Sequence, residues 1–440
     1  MKDTLKIDVI QDGEVISKEI EAKYQFADRD IKITYDSQKG KNVHKANFVG
    51  IIHSRSVEDA LLFSMPKHYM NLDEFMVLSF QEKISHIKCI LETINKYVSD
   101  EQYSNHELDK DLVSDFPFDA YWNIYRYYKN YGLYHNSAVM YKKGYGGKVS
   151  WKKTMSRATK LISNGNLIFT PFMLEKKQFL DNLITETMIF ALNYTQKMFN
   201  LFINLPNTSE LMGYGLKPAI LSNPKGIINR LIVIREKIFK DVDLNLINSL
   251  ILFLERVNAN EKQRTLNIKY YSYPYIWEKA VEKYLNDYLE SVDATKLHYA
   301  DRVISKFHFK KRVQGKYDRQ NPKHSLEPDH YYFDELERKL YIFDSKYYVS
   351  LKELNHKQIV YHVLFGNLEK ANRVYDALII PTEGPTTTEV HTDIDQDYLE
   401  QGGHEIKIFL NKLNTVRVLA NYAKWKLRWV VRIFASFNIE

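Results

Sequence analysis

The sequence predicts an α+β protein of several domains, in which a β-rich N-terminal module and a helical middle region precede a C-terminal α/β domain with a mixed sheet. Three observations lead to this prediction. The chain has 440 residues, which exceeds one average domain. Its first part contains short β-rich runs separated by turns, and from about Ser79 apolar residues recur every three or four positions. A βα pattern then begins near Leu266.

These changes place the predicted domains at residues 1–78, 79–265 and 266–440. The N-terminal module holds the β-rich runs KIDVI, DIKITYD and NFVGIIHS. In the middle region the apolar stretches Glu186 to Leu205 and Leu244 to Val257 are too short or too polar to span a bilayer. We interpret both as buried helices.

The middle region also contains a tyrosine-dense segment between Asp119 and Tyr145. Such side chains could stack on bases or pack between helices, and aromatic residues at helical spacing more often pack in a core. The glycine turn and basic stretch that follow, Gly144 to Arg157, lack the Gly-Lys-Ser/Thr order of a phosphate loop. The sequence therefore predicts no nucleotide site here.

Composition is typical of a folded protein, with 45% hydrophobic and 14% aromatic residues. The net charge of +7 would attract a polyanion, although many proteins without a nucleic-acid partner are as basic. The single cysteine, Cys89, excludes an intramolecular disulfide and a multi-cysteine zinc site. Acidic residues interrupt the N-terminus where a signal peptide needs an apolar stretch, so we expect a cytoplasmic protein without membrane segments.

Residues 327–348 carry the strongest functional signal. The run from Leu340 to Val349 is apolar except for Asp344, Ser345 and Lys346. This composition predicts a strand buried on both faces, where a charge is costly unless it is paired or binds a metal. Because strand side chains alternate, Asp344 and Lys346 are expected on the same face.

A second aspartate, Asp329, follows Pro328 at the start of the preceding predicted strand, HYYF. The charged turn DELERK is expected to bring the two strands side by side, so that the carboxylates meet. A hard divalent cation such as Mg²⁺, bound by Asp329, Asp344 and the Ser345 carbonyl, would relieve their repulsion. Lys346 could then orient and help deprotonate an attacking water. The alternative is a surface hairpin that carries these residues by chance.

Elements on both sides support a functional hairpin. The amphipathic helix Tyr275 to Glu290 carries Glu278 at its start, where Glu278 could reach a metal or be a solvated residue favoured by the helix dipole. Downstream, Lys352 to Gly366 predicts a helix with Gln358 on one side, and Arg373 to Pro381 predicts another buried strand. The predicted local order is helix, three strands, helix, strand.

A basic loop, His308 to His324, precedes the motif, and we expect it to contact DNA phosphates rather than to be a solvated loop. The candidate DNA contacts in this loop are Lys310, Lys311, Arg312 and Lys316. The C-terminal run Lys424 to Arg432 interleaves aromatic and basic residues, and could contact DNA or form an amphipathic edge. The histidines near the motif lack the spacing of an HNH nuclease or a zinc site: His308, His324, His330 and His356.

These residues resemble the PD-(D/E)XK nuclease superfamily and, within it, the LlaJI-type restriction endonucleases, relatives of the nuclease subunit McrC. The resemblance rests on the helix at Trp277, the pair Pro328-Asp329, the block FDSKYY and the helix with Gln358, and it extends weakly to GGKVSWKKT and FVGIIHS. Two departures are Ser345, where the family usually has alanine or another small residue, and Gln358, three residues before Tyr361 where many relatives have Gln-xxx-Tyr.

The resemblance implies Mg²⁺-dependent double-strand cleavage of DNA that leaves 5′-phosphates. It implies Asp329 and Asp344 as metal ligands, Lys346 as the catalytic lysine and Gln358 as a phosphate contact. It further implies an McrB-like AAA+ GTPase that docks on the N-terminal region. A homodimer and an assembly on a motor hexamer both stay open.

The predicted function is therefore the nuclease subunit of a bacterial restriction, anti-phage system. One alternative is a regulatory adaptor that binds and stimulates an AAA+ motor and cleaves little by itself. Another is an RNA or structure-specific nuclease, which would share the same site chemistry.

Overall fold

The protein is described by a computed structural model that covers residues 5–37, 40–53, 60–105, 111–114, 116–134, 136–180, 183–199, 202, 205–206, 208–214, 220, 222–263, 267–321, 323–348, 351, 353–399 and 405–424. Residues 425–432 of the basic C-terminal run lie outside these described residues. The chain divides into two compact units. Unit 1 comprises residues 1–115, 201–204 and 264–440, and unit 2 comprises residues 116–200 and 205–263.

The secondary structure mixes helices with several sheets. The strands are β1 (Lys6–Gln11), β2 (Ile31–Asp36), β3 (Lys41–Ala46), β4 (Val49–His53), β5 (Ala60–Met65), β6 (Leu112–Ser114), β7 (Asn136–Gly144), β8 (Lys148–Val149), β9 (Thr159–Ser163), β10 (Asn166–Thr170), β11 (Phe172–Leu180), β12 (Ile268–Tyr270), β13 (Leu289–Val292), β14 (Leu297–Tyr299), β15 (Gln314–Gly315), β16 (Ser325–Leu326), β17 (His330–Asp334), β18 (Lys339–Ser345), β19 (Arg373–Thr382), β20 (Thr387–Asp393) and β21 (Lys407–Asn414). The helices are α1 (Lys18–Lys23), α2 (Leu72–Val77), α3 (Phe80–Asn105), α4 (Phe118–Tyr131), α5 (Trp151–Arg157), α6 (Leu183–Phe199), α7 (Pro224–Arg235), α8 (Asp241–Gln263), α9 (Tyr273–Tyr288), α10 (His356–Glu369) and α11 (Thr415–Tyr422). Within the described residues, no helix combines the length and the apolar character needed to cross a membrane.

The first sheet of unit 1 has the strand order β1-β5-β4-β12-β6. β5 is buried along its whole length because its residues, ALLFSM, are nearly all apolar. The predicted strands KIDVI and NFVGIIHS are confirmed as β1 and β4, and DIKITYD forms β2, which pairs with β3. Gly50 allows β4 to approach β12, since a Cβ at this position would lie 2.0 Å from the Ile268 carbonyl oxygen.

The strand β12 therefore belongs to the N-terminal sheet, although the sequence placed its residues in the C-terminal domain. A buried ion pair fixes this connection. Lys269 Nζ lies 2.7 Å from Asp30 Oδ2, and the Tyr271 hydroxyl donates to Asp30 Oδ1 at 2.7 Å. Asp30 is fully buried, so its charge depends on the Lys269 ammonium, while the Tyr271 hydroxyl and the Ala27 backbone N–H donate hydrogen bonds to it.

The second sheet of unit 1 has the strand order β17-β18-β19-β21-β20. β18, β19 and β21 are parallel, whereas the edge strands β17 and β20 are antiparallel to their neighbours. Helix α10 connects the parallel strands β18 and β19, as parallel pairing requires. The prediction of a mixed sheet is confirmed.

The predicted order of elements was only partly correct for this sheet. Between α9 and α10, only β17 and β18 join it, and the other strands form the separate pairs β13-β14 and β15-β16. The physical reason is the composition of residues 300–328, which are rich in basic residues and offer no long alternating apolar run. The strands β20 and β21 were not predicted.

Unit 2 is mainly helical. Helix α4 packs against α8 and α6 around an aromatic cluster in which the ring centroids of Phe116 and Phe199 lie 4.4 Å apart. The tyrosine-dense segment contributes to this packing: Tyr121 is buried, and the Tyr127 hydroxyl donates to Asp243 on α8 at 2.9 Å. The stretch Leu244 to Val257 is confirmed as part of α8, and residues 186–199 of the other stretch are confirmed as part of α6.

Unit 2 also contains strands that the sequence analysis missed. β7 pairs with β11, and β9 pairs with β10 through the turn Asn164-Gly165. Both turn residues have positive φ, at 52° and 75°. An Asn-Gly dipeptide between apolar runs is a strong hairpin signal, so this pair was available from the sequence.

Candidate active site

The β17-β18 hairpin brings two aspartates together at one end of the second sheet. In the register of this hairpin, His330 is opposite Phe343, so Asp329 and Asp344 adjoin the same end of the pair. The Ser345 backbone N–H donates to Asp329 Oδ2 at 2.9 Å. Asp329 and Asp344 thus lie at the same end of the hairpin, as hairpin pairing predicted, and the roles of these residues stay a prediction.

Asp344 is the more buried of the two aspartates, with 1% of its surface exposed. Its Oδ2 forms an ion pair with Lys346 Nζ. Within the described residues, neither carboxylate oxygen of Asp344 has a hydrogen-bond partner of good geometry. A buried carboxylate in this state is costly unless further positive charge reaches it.

Burial and neighbouring charges also change the pKa of Asp329. Burial raises the pKa of its carboxyl well above the ordinary value, and the charges of Asp344 and Glu278 add to this increase. Two carboxylates that disfavour each other's ionised form could hold a divalent cation, because the cation would stabilise both charges.

Lys346 is anchored by its backbone as well as by its ion pair. Its N–H donates to the Ile379 carbonyl at 2.8 Å, which continues the β18-β19 pairing past the end of β18. Its side chain is 19% exposed, so the ammonium lies between the buried Asp344 and solvent. This position allows the lysine to contact both the aspartate and a bound substrate.

His330 and Ser345 support the hairpin end. His330 Nε2 lies 2.7 Å from Ser345 Oγ, and burial lowers the pKa of His330 to about 3. The imidazole is therefore neutral and contacts the Ser345 hydroxyl at the hairpin end. The sequence assigned no role to His330 because burial cannot be read from spacing.

Glu278 on α9 lies within electrostatic range of the site. Burial raises its pKa, Lys311 and Lys346 lower it, and Asp344 raises it. In the described part of the chain, however, no group of three or more His, Cys, Asp or Glu side chains is arranged to hold a metal ion. Glu278 lies near the aspartate pair, and the carboxylate oxygens at the centre of this site are those of Asp329 and Asp344.

Gln358 is buried behind the strands, with 1% exposure. Its Nε2 donates to the Ile342 carbonyl and to Asp376 Oδ1, both at 2.8 Å. Asp376 Oδ2 in turn lies 2.5 Å from His362 Nδ1. This network links α10 to β18 and β19, and it directs the Gln358 amide toward the sheet.

The four basic residues of the loop fall into two groups. Lys310, Lys311 and Lys316 are exposed. Arg312 instead forms an ion pair with Glu369 at 2.5 Å and lies 4.4 Å from the centre of the Tyr331 ring. Lys311 Nζ lies 3.9 Å from Glu327 Oε2, and all three exposed lysines can meet a polyanion, whereas Arg312 is engaged in packing.

Lys357 is a residue of this region that the sequence analysis missed. It lies on α10, one turn before Tyr361, with its Nζ 5.2 Å from the tyrosine ring centre. The signal that could have found it is the spacing of four residues between Lys357 and Tyr361, which places both on one helix face.

The structure is that of an α/β protein whose mixed sheet ends, at one strand, in a buried aspartate with a second aspartate and a lysine beside it. The chain belongs to the LlaJI restriction endonuclease family, whose model matches residues 48–420. The resemblance to the LlaJI-type restriction endonucleases is confirmed by this match.

Among solved structures, a chain in the refined half-complex from the tetradecameric assembly of Thermococcus gammatolerans McrB AAA+ hexamers with bound McrC is similar to this protein. The two are 10% identical, the alignment covers 97% of this chain and 100% of that chain, and the TM-score is 0.40. This similarity is too low to support a functional argument. No curated protein matches the sequence.

Proposed function

We propose that this protein is a Mg²⁺-dependent endonuclease that hydrolyses phosphodiester bonds of DNA, with Asp329, Asp344 and Lys346 as a PD-(D/E)XK catalytic set. Membership of a restriction endonuclease family supports nuclease activity. The observation that carries the proposal is the buried Asp344 carboxylate, which forms an ion pair with Lys346 and adjoins Asp329 at the end of the hairpin.

The donor set favours magnesium. Mg²⁺ is usually held by one or two carboxylates and keeps positions for water and substrate phosphates, whereas structural zinc needs four nitrogen or sulfur ligands. Asp329 and Asp344 would hold the ion, and the Ser345 carbonyl is the third ligand of the proposal. When bound, the cation would supply positive charge at the phosphate and lower the pKa of water.

The side chains of the protein would position the water and the phosphate. Lys346 would orient the attacking water and donate a hydrogen bond to a phosphate oxygen, since its ammonium lies between Asp344 and solvent. The water oxygen forms a bond to phosphorus and loses a proton, while the bond from phosphorus to the 3′ oxygen breaks and that oxygen gains a proton. The products are a 5′-phosphate and a 3′-hydroxyl.

DNA would approach along the exposed lysines of the basic loop. Lys310, Lys311 and Lys316 are exposed and positively charged, and Lys311 is close enough to Glu278 to lower its pKa. Phosphate contacts of this kind hold DNA without reading its sequence. The McrB-like AAA+ GTPase partner stays a prediction from the family resemblance.

The test is plasmid cleavage by the purified protein with Mg²⁺, with and without the McrB-like GTPase and GTP. We expect Asp344→Asn to abolish cutting and to leave DNA binding intact. Asp334→Asn is the matched control, because Asp334 lies at the opposite end of the same hairpin and caps its turn with bonds that asparagine can also accept. Ends that DNA ligase rejoins would support 5′-phosphate products.

Two outcomes would contradict the proposal. Cutting that persists in Asp344→Asn would exclude the assigned site. No cutting by the unaltered protein under any condition, together with stimulated GTP hydrolysis by the partner, would favour the regulatory adaptor.

A further inference from the structure

Lys357 occupies the first turn of α10, beside the end of the hairpin that carries the aspartates. Asn355 caps this helix and accepts the Gln358 backbone N–H through its side chain at 3.3 Å. The Lys357 side chain extends along the ring of Tyr361, with its Nζ 5.2 Å from the ring centre. The ammonium is therefore held on one defined face of the helix.

Two hydrogen bonds show that the first turns of α10, which carry Lys357, lie next to the hairpin. The Tyr361 hydroxyl accepts the backbone N–H of Glu327 at 3.1 Å, two residues before Asp329. The Gln358 amide donates to the Ile342 carbonyl at 2.8 Å, two residues before Asp344. The chain segments leading into both aspartates are thus attached to α10 within one turn of Lys357.

The electrostatics agree with this placement. Burial lowers the pKa of Lys357, but the Tyr361 hydroxyl and the charges of Asp344 and Asp329 outweigh it and raise the pKa above its ordinary value. Lys357 thus carries its positive charge within the field of the aspartate pair.

Lys357 also differs from Lys346 in its partners. Lys346 forms an ion pair with Asp344, whereas no carboxylate lies within 4.0 Å of the Lys357 ammonium among the residues that the structure describes. Lys357 is exposed on its outer side. An exposed ammonium without a close carboxylate partner is available to a ligand that brings its own negative charge.

We propose that Lys357 is a substrate-binding residue of this site, whose ammonium contacts a non-bridging phosphate oxygen of the DNA strand held at the Asp329–Asp344 pair. The inference rests on the proposed nuclease function. A lysine recognises a phosphate as a point charge, so this contact would position the strand without selecting a base sequence.

The first measurement is DNA binding over a series of salt concentrations, with the Asp344→Asn background used to prevent cutting. Loss of one phosphate contact lowers the slope of log K against log salt by about 0.9. We expect this change in Lys357→Gln and not in Lys357→Arg, which keeps the charge. Lys339→Gln is the matched control. Lys339 is the first residue of β18, at the opposite end of that strand from Asp344, and its ammonium forms an ion pair with Glu337.

The second measurement is single-turnover cleavage with Mg²⁺ in protein that keeps Asp344. Loss of a charge-assisted hydrogen bond to the phosphate predicts a decrease in cleavage rate of roughly 10- to 100-fold for Lys357→Gln. Lys357→Arg should recover most of the rate, and Lys339→Gln should cleave as the unaltered protein does.

The outcomes separate this inference from the proposed function. An unchanged salt slope and an unchanged cleavage rate in Lys357→Gln would overturn the role of Lys357 alone. An unchanged slope with a lower free energy of unfolding would also overturn it, since the lysine would then be structural. Absence of cutting by the unaltered protein would refute the nuclease proposal, while the salt slope would still report whether Lys357 contacts phosphate.

Discussion

Substitution of Gln358 tests whether its buried hydrogen bonds stabilise the strands that carry the candidate site. We consider Gln358→Met, which keeps the length of the side chain and removes its hydrogen bonds. The Gln358 Nε2 bonds reach a buried carboxylate, Asp376, and the carbonyl of Ile342, each at 2.8 Å. A hydrogen bond to a charged group contributes about 1.5–3 kcal/mol and a neutral one about 0.5–1.5 kcal/mol. We therefore expect the free energy of unfolding to fall by about 3 kcal/mol.

Urea denaturation followed by circular dichroism would measure this change, because the midpoint reports stability when the slope is unchanged. The matched control is Val360→Met on the same helix. Val360 is 43% exposed, so the same new side chain should change the free energy of unfolding by less than about 0.5 kcal/mol.

One result would refute this reasoning. If Gln358→Met unfolded like the unaltered protein and lost DNA cleavage, Gln358 would act as the phosphate contact that the family resemblance implies. The buried network would then contribute nothing measurable to stability.

Other predictions concern a buried ion pair, a histidine and the metal. Lys269→Met should lower the free energy of unfolding by about 3–5 kcal/mol, because it leaves Asp30 buried without its cation, and an unchanged urea midpoint would contradict this. Burial lowers the pKa of His86 to about 4, so between pH 4 and 6.5 the unfolded chain binds more protons than the folded protein. Stability should rise with pH across that interval by on the order of 2 kcal/mol and then level off, and denaturation of His86→Gln at pH 4.5 and 7 should show a smaller difference. Mg²⁺ should raise the Tm of the unaltered protein at pH 8 and not that of Asp344→Asn, and equal shifts in thermal scans would argue against the metal site.

The parts of the fold that the sequence predicted are those with local signals. The β17-β18 hairpin follows from alternation and a short charged turn, and α6 and α8 follow from apolar runs of helical length. β12 was not predicted as a member of the first sheet, because its partners, β4 and β6, lie far away in the sequence. Pairing between strands that are far apart in the sequence depends on which surfaces meet in the folded protein. This cannot be predicted from local patterns in a single sequence.

In the candidate site, too, some features could be predicted from the sequence and others arise only from the tertiary structure. The sequence by itself determined that Asp329, Asp344 and Lys346 would adjoin one another, because hairpin pairing and strand alternation are properties of neighbouring residues.

Only the tertiary structure decided how the surrounding residues act. It buried Gln358 against the sheet, engaged Arg312 with Glu369, and brought Lys357 beside the hairpin. It also made His330 neutral through burial. Desolvation and long-range partners determine the charge and availability of a side chain, and both arise only when distant segments pack together.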